Sequence, residues 1–203
     1  LAKDYERYLN LSRLISHGYL DHQKQGIPYT TQEDLLKYEA GLILILSKES
    51  HFGQTLLHRT FEQADRELNQ LYAPFREDRL YIGVKRLNQA DDERFTQAAK
   101  KFATEHHLPL LAHNDVRFME RDDFLAHEVR SCIANGYIIN DPSRPKNYSE
   151  EQYLKSAEEM SALFADLPEA IENTHHLAER CTVMLELGKP QLPHFDTPDG
   201  MSM

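Results

Sequence analysis

The chain has 203 residues, of which 28% are charged and 40% hydrophobic, as is typical of a folded globular protein. Its 33 acidic and 23 basic side chains give a formal net charge of −10, which argues against a surface that coats nucleic acid nonspecifically. The longest apolar run, residues 41–46, is much shorter than the ~18 residues of a membrane span. Because the two cysteines lie far apart without a CxxC pattern, we expect a cytoplasmic protein with reduced thiols and no membrane contact.

The hydrophobic pattern predicts helices that alternate with short apolar strands over the first two thirds of the chain. A helix over residues 2–17 comes first, and Thr30 and Glu33 form a capping box for a short second helix. The predicted strands are residues 41–46, 79–84 and 108–112, and the helices that follow them are residues 53–72 with a break near 59–60, a segment capped by Asp91, and residues 122–134. This alternation predicts a parallel sheet with helices packed outside it.

The sequence changes character after residue 135. A polar loop with Pro142 and Pro145 leads to two further capping boxes, at residues 149–152 and 156–159. Helices are predicted to end near Phe164 and to span residues 168–180, and residues 183–187 have the pattern of a short final strand.

Candidate functional residues follow the predicted strands, because the carboxyl ends of parallel strands meet at one rim of the sheet. In the extended segment after the third strand, His113 and Asp115 face the same side, and such a pair suits zinc or manganese. Arg117 projects to that side as well, and its guanidinium repels a cation and pairs with a carboxylate. We therefore favour a salt bridge between Asp115 and Arg117 over a metal centre, which stays the alternative.

Other catalytic motifs are absent from the sequence. It has no GxxxxGK[ST] or GxGxxG phosphate loop, no GxSxG elbow, and no HExxH spacing among its 11 histidines. Adjacent histidine pairs point about 100° apart on a helix and rarely share a metal. The rim is therefore the strongest candidate site.

The most distinctive residues are Leu-Pro-Leu-Leu-Ala-His-Asn-Asp-Val-Arg-Phe at 108–118 and Asp-Phe-Leu-Ala-His-Glu-Val-Arg at 123–130. They closely resemble the PHP domain of bacterial DNA polymerase III alpha subunits. The resemblance continues through residues 141–145, 148–156, 158–160 and 164–170, and more weakly includes residues 8–16. Nearly the whole chain is covered.

The resemblance implies an α/β fold, an incomplete PHP-type (β/α)7 barrel with parallel strands followed by a helical segment. Because three or four parallel strands cannot close a barrel, we expect the missing strands to lie before Leu1. The implied organisation is a partial barrel lacking its first strands at 1–135, a loop and helices that complete the PHP region at 136–190, and a linker toward the polymerase core at 191–203.

For the site, the resemblance implies that metal-binding relatives end a late strand with an Asp-x-His pair. The matching residues here are Asp115 and Arg117, so the carboxylate is kept and the histidine is replaced. The cysteine or histidine expected after residues 41–46 is replaced by a Ser-Lys-Glu sequence. We therefore expect no metal, no cofactor and no catalytic residue in this chain, with Asp115, Arg117 and His113 as remnants of the PHP site.

For the function, the resemblance implies a piece of a cytoplasmic bacterial DNA-directed DNA polymerase. The parent chain uses Mg²⁺ and contacts DNA through parts outside this sequence. We expect this piece to be inactive alone, to brace the rest of the polymerase chain and to offer a docking surface for the proofreading exonuclease subunit. The alternative is a metal-dependent PHP phosphoesterase or 3′–5′ proofreading nuclease, which needs metal ligands upstream of Leu1 and His113 as a substitute ligand.

Overall fold

The computed structural model describes residues 1–76 and 78–190, which form a mixed α/β structure. None of the helices in these residues is long and apolar enough to cross a membrane. The strands are β1 (Gln23–Lys24), β2 (Ile27–Pro28), β3 (Leu44–Leu46), β4 (Leu80–Val84) and β5 (Leu110–Ala112). The helices are α1 (Tyr5–Leu20), α2 (Gln32–Lys37), α3 (His51–His58), α4 (Phe61–Leu71), α5 (Asp92–His106), α6 (Phe124–Asn135), α7 (Ala157–Leu163) and α8 (Pro168–Arg180), with 3₁₀ turns at Ala73–Phe75 and Arg121–Asp123.

The main sheet has three parallel strands in the order β3–β4–β5, with Leu46 opposite Ile82 and Val84 opposite Ala112. The predicted parallel sheet and its alternation with helices are confirmed. The predicted strand at residues 183–187 is wrong, because this segment pairs with no strand of the described residues and leaves Met184 84% exposed. The described part of the chain is thus a three-stranded portion of a parallel sheet, not a closed barrel.

Both faces of this sheet are covered, which explains why its strands are apolar throughout. On one face, strand residues pack against the fully buried rings of Phe52, Phe95 and Phe102 from α3 and α5. On the other face, a smaller cluster joins Tyr81 to Leu177 of α8. The polar ends of the strands are therefore the part of the sheet where a functional site can lie.

Helix α8 lies along the outer edge of β5. The Asn173 side-chain amide donates to the carbonyl oxygen of Leu110 at 2.8 Å, and the Thr174 hydroxyl donates to that of Ala112 at 2.7 Å. These bonds satisfy carbonyl groups that an edge strand otherwise presents to another strand.

The helix starts differ from two of the predicted caps. The cap of α2 is Thr31 rather than Thr30, because the Thr31 hydroxyl accepts from the backbone N–H of Asp34 at 3.1 Å. Asp91 precedes α5 in the left-handed region, with φ of 66°, and its side chain makes no cap bond. The carboxylate of Asp92 turns inward instead, as described below.

The capping box at residues 149–152 does not start a helix. Gln152 does accept from the backbone N–H of Ser149 at 3.0 Å, but the chain continues as an extended segment. Gln152 is 1% exposed, and its side chain is held at the rim of the sheet by Asp115. By contrast, the predicted break between α3 and α4 is present, and Thr60 caps α4 with a full capping box.

Candidate functional site: an ion-paired rim

The strand ends place Lys85 between two carboxylates. Lys85 follows β4, and its ammonium lies 2.8 Å from Glu49 Oε1 and 3.6 Å from Asp115 Oδ2. Glu49 comes from the loop after β3 and Asp115 from the segment after β5, so the three strands each supply one member. The Lys85 side chain is only 8% exposed. The centre of the rim is therefore occupied by a cation of the protein itself.

Asp115 is further held by Arg117 and by Gln152. Arg117 Nη2 lies 3.0 Å from Asp115 Oδ1, and the Gln152 side-chain amide donates to Asp115 Oδ2 at 3.1 Å. The backbone N–H of Arg117 donates to the Gln152 carbonyl at 2.8 Å, which ties the two segments together. Both oxygens of the Asp115 carboxylate thus have partners from within the chain.

His113 reaches the same rim, and its side chain is the least satisfied there. Its backbone N–H continues the sheet by donating to the Val84 carbonyl at 3.0 Å, while its Nε2 is buried without a hydrogen-bond partner among the described residues. A side chain at Gly83 would place its Cβ 3.2 Å from this Nε2, so Gly83 leaves the space that the ring occupies. Burial lowers the pKa of His113, and the charge of Lys85 lowers it further.

A second buried ion pair supports the rim from the side. Lys48, beside Glu49, pairs with Asp92 at the start of α5, and both side chains are at most 11% exposed. The Asp92 carboxylate also accepts from the backbone N–H groups of Leu87 at 2.8 Å and Gln89 at 3.1 Å. The chain after β4 is therefore fixed where it leaves the sheet, beside Lys85.

These residues do not fit a divalent metal ion. The carboxylates of Glu49 and Asp115 already face Lys85, and Arg117 adds a second positive charge. Within residues 1–76 and 78–190, no three His, Cys, Asp or Glu side chains are grouped so that they could hold a metal. A cation placed at this rim would have to displace an internal lysine and overcome the field of an arginine.

The loop after α6 closes over one side of the rim. Tyr148 lies between the Arg117 guanidinium, 5.7 Å from its ring centre, and the His127 ring at 4.6 Å. Between this loop and α6 is a cavity of about 250 Å³, where Arg144 forms a buried ion pair with Glu128. The loop is thus joined both to the rim and to α6.

The sequence identified Asp115, Arg117 and His113, and the structure brings them to one rim. It did not single out Asp92 or Gln152. The sequence does place Lys85 directly after a buried strand, at the carboxyl end of the sheet, but it does not show that the side chain lies between two carboxylates. Gln152 lies 37 residues from Asp115, and no local pattern signals their contact.

Arg86 connects the rim to the α7–α8 region. Its guanidinium makes two bonds to the Asp166 carboxylate, at 2.6 and 2.8 Å, and a third to the Leu163 carbonyl at 2.6 Å. It also lies 5.0 Å from the centre of the buried Phe164 ring. The hydrogen bond from Arg86 lowers the pKa of Asp166 to about 2.

Replacing Arg86 by methionine is expected to reduce the free energy of unfolding by about 1 kcal/mol at pH 7, because Asp166 is half exposed and solvent screens the pair. A lowered carboxyl pKa stabilises the fold above the unfolded pKa of about 4, and this stabilisation is lost as the pH falls toward 2. Urea unfolding should therefore show that the difference in free energy of unfolding between wild type and variant is smaller at pH 2.5 than at pH 7. Arg66→Met on α4 is the control. A difference in free energy of unfolding that is as large at pH 2.5 as at pH 7 would contradict the prediction.

Comparison with known proteins gives a family match for the first part of the chain. Residues 1–87 match the family described as the PHP domain. This match covers β3, β4 and the residues Glu49 and Lys85 of the rim.

Full-length relatives then show which proteins the chain is similar to. It is 42% identical over 204 residues to the DNA polymerase III subunit alpha of Pseudomonas fluorescens and, over the same length, to that of Pseudomonas aeruginosa. It is 39% identical over 200 residues to the subunit of Escherichia coli. These alignments cover 98–100% of this chain and 17% of each relative. The resemblance inferred from the sequence is confirmed.

Proposed function

We propose that this chain is the PHP region of a bacterial DNA polymerase III alpha subunit and that it serves the parent enzyme as a non-catalytic scaffold. The similarity over the whole chain supports the parent's identity. The observation that carries the non-catalytic role is the position of Lys85 between Glu49 and Asp115, where a PHP enzyme needs a metal. DNA synthesis, with its Mg²⁺, would belong to parts of the parent outside this sequence.

The scaffold role includes the architecture of the barrel. The three parallel strands and their helices are compatible with part of a (β/α)7 barrel. In the parent subunit, further strands would complete the barrel, and residues 136–190 would close the PHP region against it. The linker proposed at residues 191–203 lies outside the described residues.

The proposed partner is the proofreading exonuclease subunit, docked on this region. A replicative polymerase whose PHP rim cannot hold metal needs another source of 3′–5′ hydrolysis. The exposed apolar side chains of Leu125, Val129 and Ile133 on α6 support docking, because apolar patches on the surface of folded domains mark contacts with other proteins.

The test uses the purified parent subunit. After dialysis against Mn²⁺ and Zn²⁺ and then against buffer, we expect elemental analysis to find no retained metal, and we expect no metal-dependent release of nucleotides from a DNA 3′ end. Tightly held ions together with hydrolysis that Lys85→Met alters would establish the alternative, a PHP nuclease. For the partner, we expect the parent subunit and the exonuclease subunit to elute together in gel filtration.

A further inference from the structure

The ends of α1 and α2 meet in a chain of three hydrogen-bonding side chains. Asp21 Oδ2 lies 2.8 Å from His17 Nδ1, and the Tyr38 hydroxyl lies 2.8 Å from His17 Nε2. We call these three residues the Tyr38 relay. A hydroxyl, an imidazole and a carboxylate in this order are the arrangement that activates a nucleophile for acyl transfer. None of the three side chains belongs to the rim.

The backbone at both helix ends positions the relay. Asp21 follows the last turn of α1, where its N–H donates to the His17 carbonyl at 2.9 Å, and its carboxylate is within reach of the imidazole four residues earlier. Tyr38 has the same place on α2, where its N–H donates to the Asp34 carbonyl at 3.1 Å. The Tyr38 ring also packs against the hydrophobic core. The phenol is therefore held beside the imidazole by its backbone and by its ring.

The carboxylate of Asp21 decides which nitrogen of His17 can act as a base. An ionised carboxylate only accepts hydrogen bonds, so it places the proton of a neutral imidazole on Nδ1. Nε2 then has the free electron pair, and the Tyr38 hydroxyl donates to it. A base therefore faces the proton that a tyrosine loses when it becomes a nucleophile. The His17 side chain is 33% exposed, so this hydrogen bond lies where a small molecule can approach from solvent.

The charges around Tyr38 favour an uncharged electrophile. Asp34 lies one turn before Tyr38 on α2, and Asp21 contacts the other nitrogen of His17, so two carboxylates oppose the approach of a phosphoryl donor. The Lys37 ammonium lies 5.2 Å from the centre of the Tyr38 ring, where it can attract a carbonyl oxygen that gains negative charge. The carbonyl group of an ester meets both conditions.

We propose that Tyr38 is a covalent modification site that takes the acyl group of an activated carboxylic ester. The hydroxyl oxygen attacks the carbonyl carbon and forms a C–O bond, while its proton passes to His17 Nε2. The tetrahedral intermediate then expels the alcohol portion of the ester, which leaves with the electron pair of the broken C–O bond and takes the proton from His17. The products are acyl-Tyr38 and the free alcohol, with His17 neutral again. The site uses no residue of the rim and is independent of the proposed function.

Tyr19 is a matched control on the same helix as His17. It is 56% exposed, whereas Tyr38 is half-buried, so access to solvent alone favours a reaction at Tyr19. Of these two tyrosines, only Tyr38 has its hydroxyl bonded to an imidazole of the described residues. A faster reaction at Tyr38 would therefore report activation by the relay and not exposure.

The experiment treats the full parent subunit with p-nitrophenyl acetate at neutral pH and follows acetylation of each tyrosine by mass spectrometry of its peptides. We expect Tyr38 to be acetylated about 100-fold faster than Tyr19, the lower end of what a positioned base contributes. His17→Gln keeps a polar side chain beside the phenol but cannot take its proton. This variant should unfold at the wild-type temperature, acetylate Tyr38 no faster than Tyr19 and leave the rate at Tyr19 unchanged.

Asp21 is a positioning residue, and a spectroscopic signal tests it separately. In Asp21→Asn the side-chain amide can donate to Nδ1, so nitrogen NMR of the imidazole should show His17 shifting toward the tautomer protonated on Nε2, with slower acetylation of Tyr38. Equal rates at Tyr38 and Tyr19 in the wild type would overturn the proposal. So would a His17→Gln protein, folded as the wild type is, that acetylates Tyr38 at the wild-type rate.

Discussion

Replacing Lys85 by methionine is expected to lower the free energy of unfolding by about 1–2 kcal/mol, because a charged hydrogen bond is lost but the half-exposed Glu49 that remains is partly solvated. Methionine retains most of the length of the side chain but leaves Glu49 without its 2.8 Å ion pair. Asp115 keeps Arg117 and Gln152 as partners, so the rim weakens on the Glu49 side first. Lys101→Met is the control, because Lys101 is 67% exposed and contacts Glu105 only at 4.0 Å.

The pH dependence of the stability of this variant follows from the carboxyl group of Glu49. Partial burial alone would raise the pKa of Glu49, but the hydrogen bond and charge of Lys85 outweigh it and lower that pKa. A lowered carboxyl pKa stabilises the fold at pH values above the unfolded pKa, and the stabilisation disappears as the pH falls below it. The difference in stability between wild type and Lys85→Met should therefore be largest near neutral pH and shrink in acid.

His113 provides a local readout of the same change. Burial is the first cause of its lowered pKa and Lys85 the second, so removing the ammonium should raise the pKa of His113 while leaving it below its ordinary value. An NMR titration of the imidazole would measure this directly. An unchanged titration of His113 in Lys85→Met would show that the lysine is not where the structure places it.

The parallel sheet was predictable because its strands are short apolar runs separated by helical patterns, and both signals are local. The register that sets Leu46 opposite Ile82 and Val84 opposite Ala112 is what brings Glu49, Lys85 and Asp115 together. Sequence alone predicts that their backbones reach one rim. It does not predict that the Lys85 side chain turns inward, because a lysine after a strand more often extends into solvent.

The misplaced elements have a different physical cause. The pattern at residues 183–187 is that of a strand, but a strand exists only when another strand pairs with it, and no described residue does so. The box at Ser149 and Gln152 forms its hydrogen bond, but Asp115 draws the same glutamine side chain inward. The first segment lacks the pairing strand that its pattern requires. In the second, a contact with a residue distant in sequence overrides the local pattern.

In the proposed function, the ion-paired rim lets a PHP region act as a scaffold without a change of fold. Lys85 and Arg117 supply within the chain the positive charge that a metal ion would supply, so the carboxylates stay paired and the strand ends stay ordered. Contacts then connect Asp115 to Gln152, and Arg117 through Tyr148 to His127 of α6. In that proposal, a rim held by internal ion pairs keeps the strand ends in place for a scaffold role.

Replacing Gly53 by alanine is expected to cost about 3 kcal/mol, the upper part of the usual range for overpacking, even though alanine favours a helix by about 1 kcal/mol. A Cβ at this position in α3 would overlap the Ser47 carbonyl and lie 2.7 Å from the Lys48 carbonyl oxygen and 2.8 Å from its Cα. Backbone atoms cannot move aside cheaply, so the loop that carries Lys48 and Glu49 would shift from the rim.

Gly136→Ala separates this steric effect from backbone strain. Gly136 ends α6 with φ of 72° and has nothing within 4 Å of an added Cβ, so the expected cost is only the ~1–2 kcal/mol of a left-handed alanine. Urea unfolding of both variants gives the comparison, and the His113 titration shows whether the rim has moved.

A Gly53→Ala protein as stable as Gly136→Ala, with the His113 titration unchanged, would mean that the contact between α3 and the strand-end loop is looser than the structure shows. A larger loss with an altered His113 titration would establish that the position of Glu49 and Lys48 depends on the first turn of α3, where Gly53 packs against the backbone of Ser47 and Lys48.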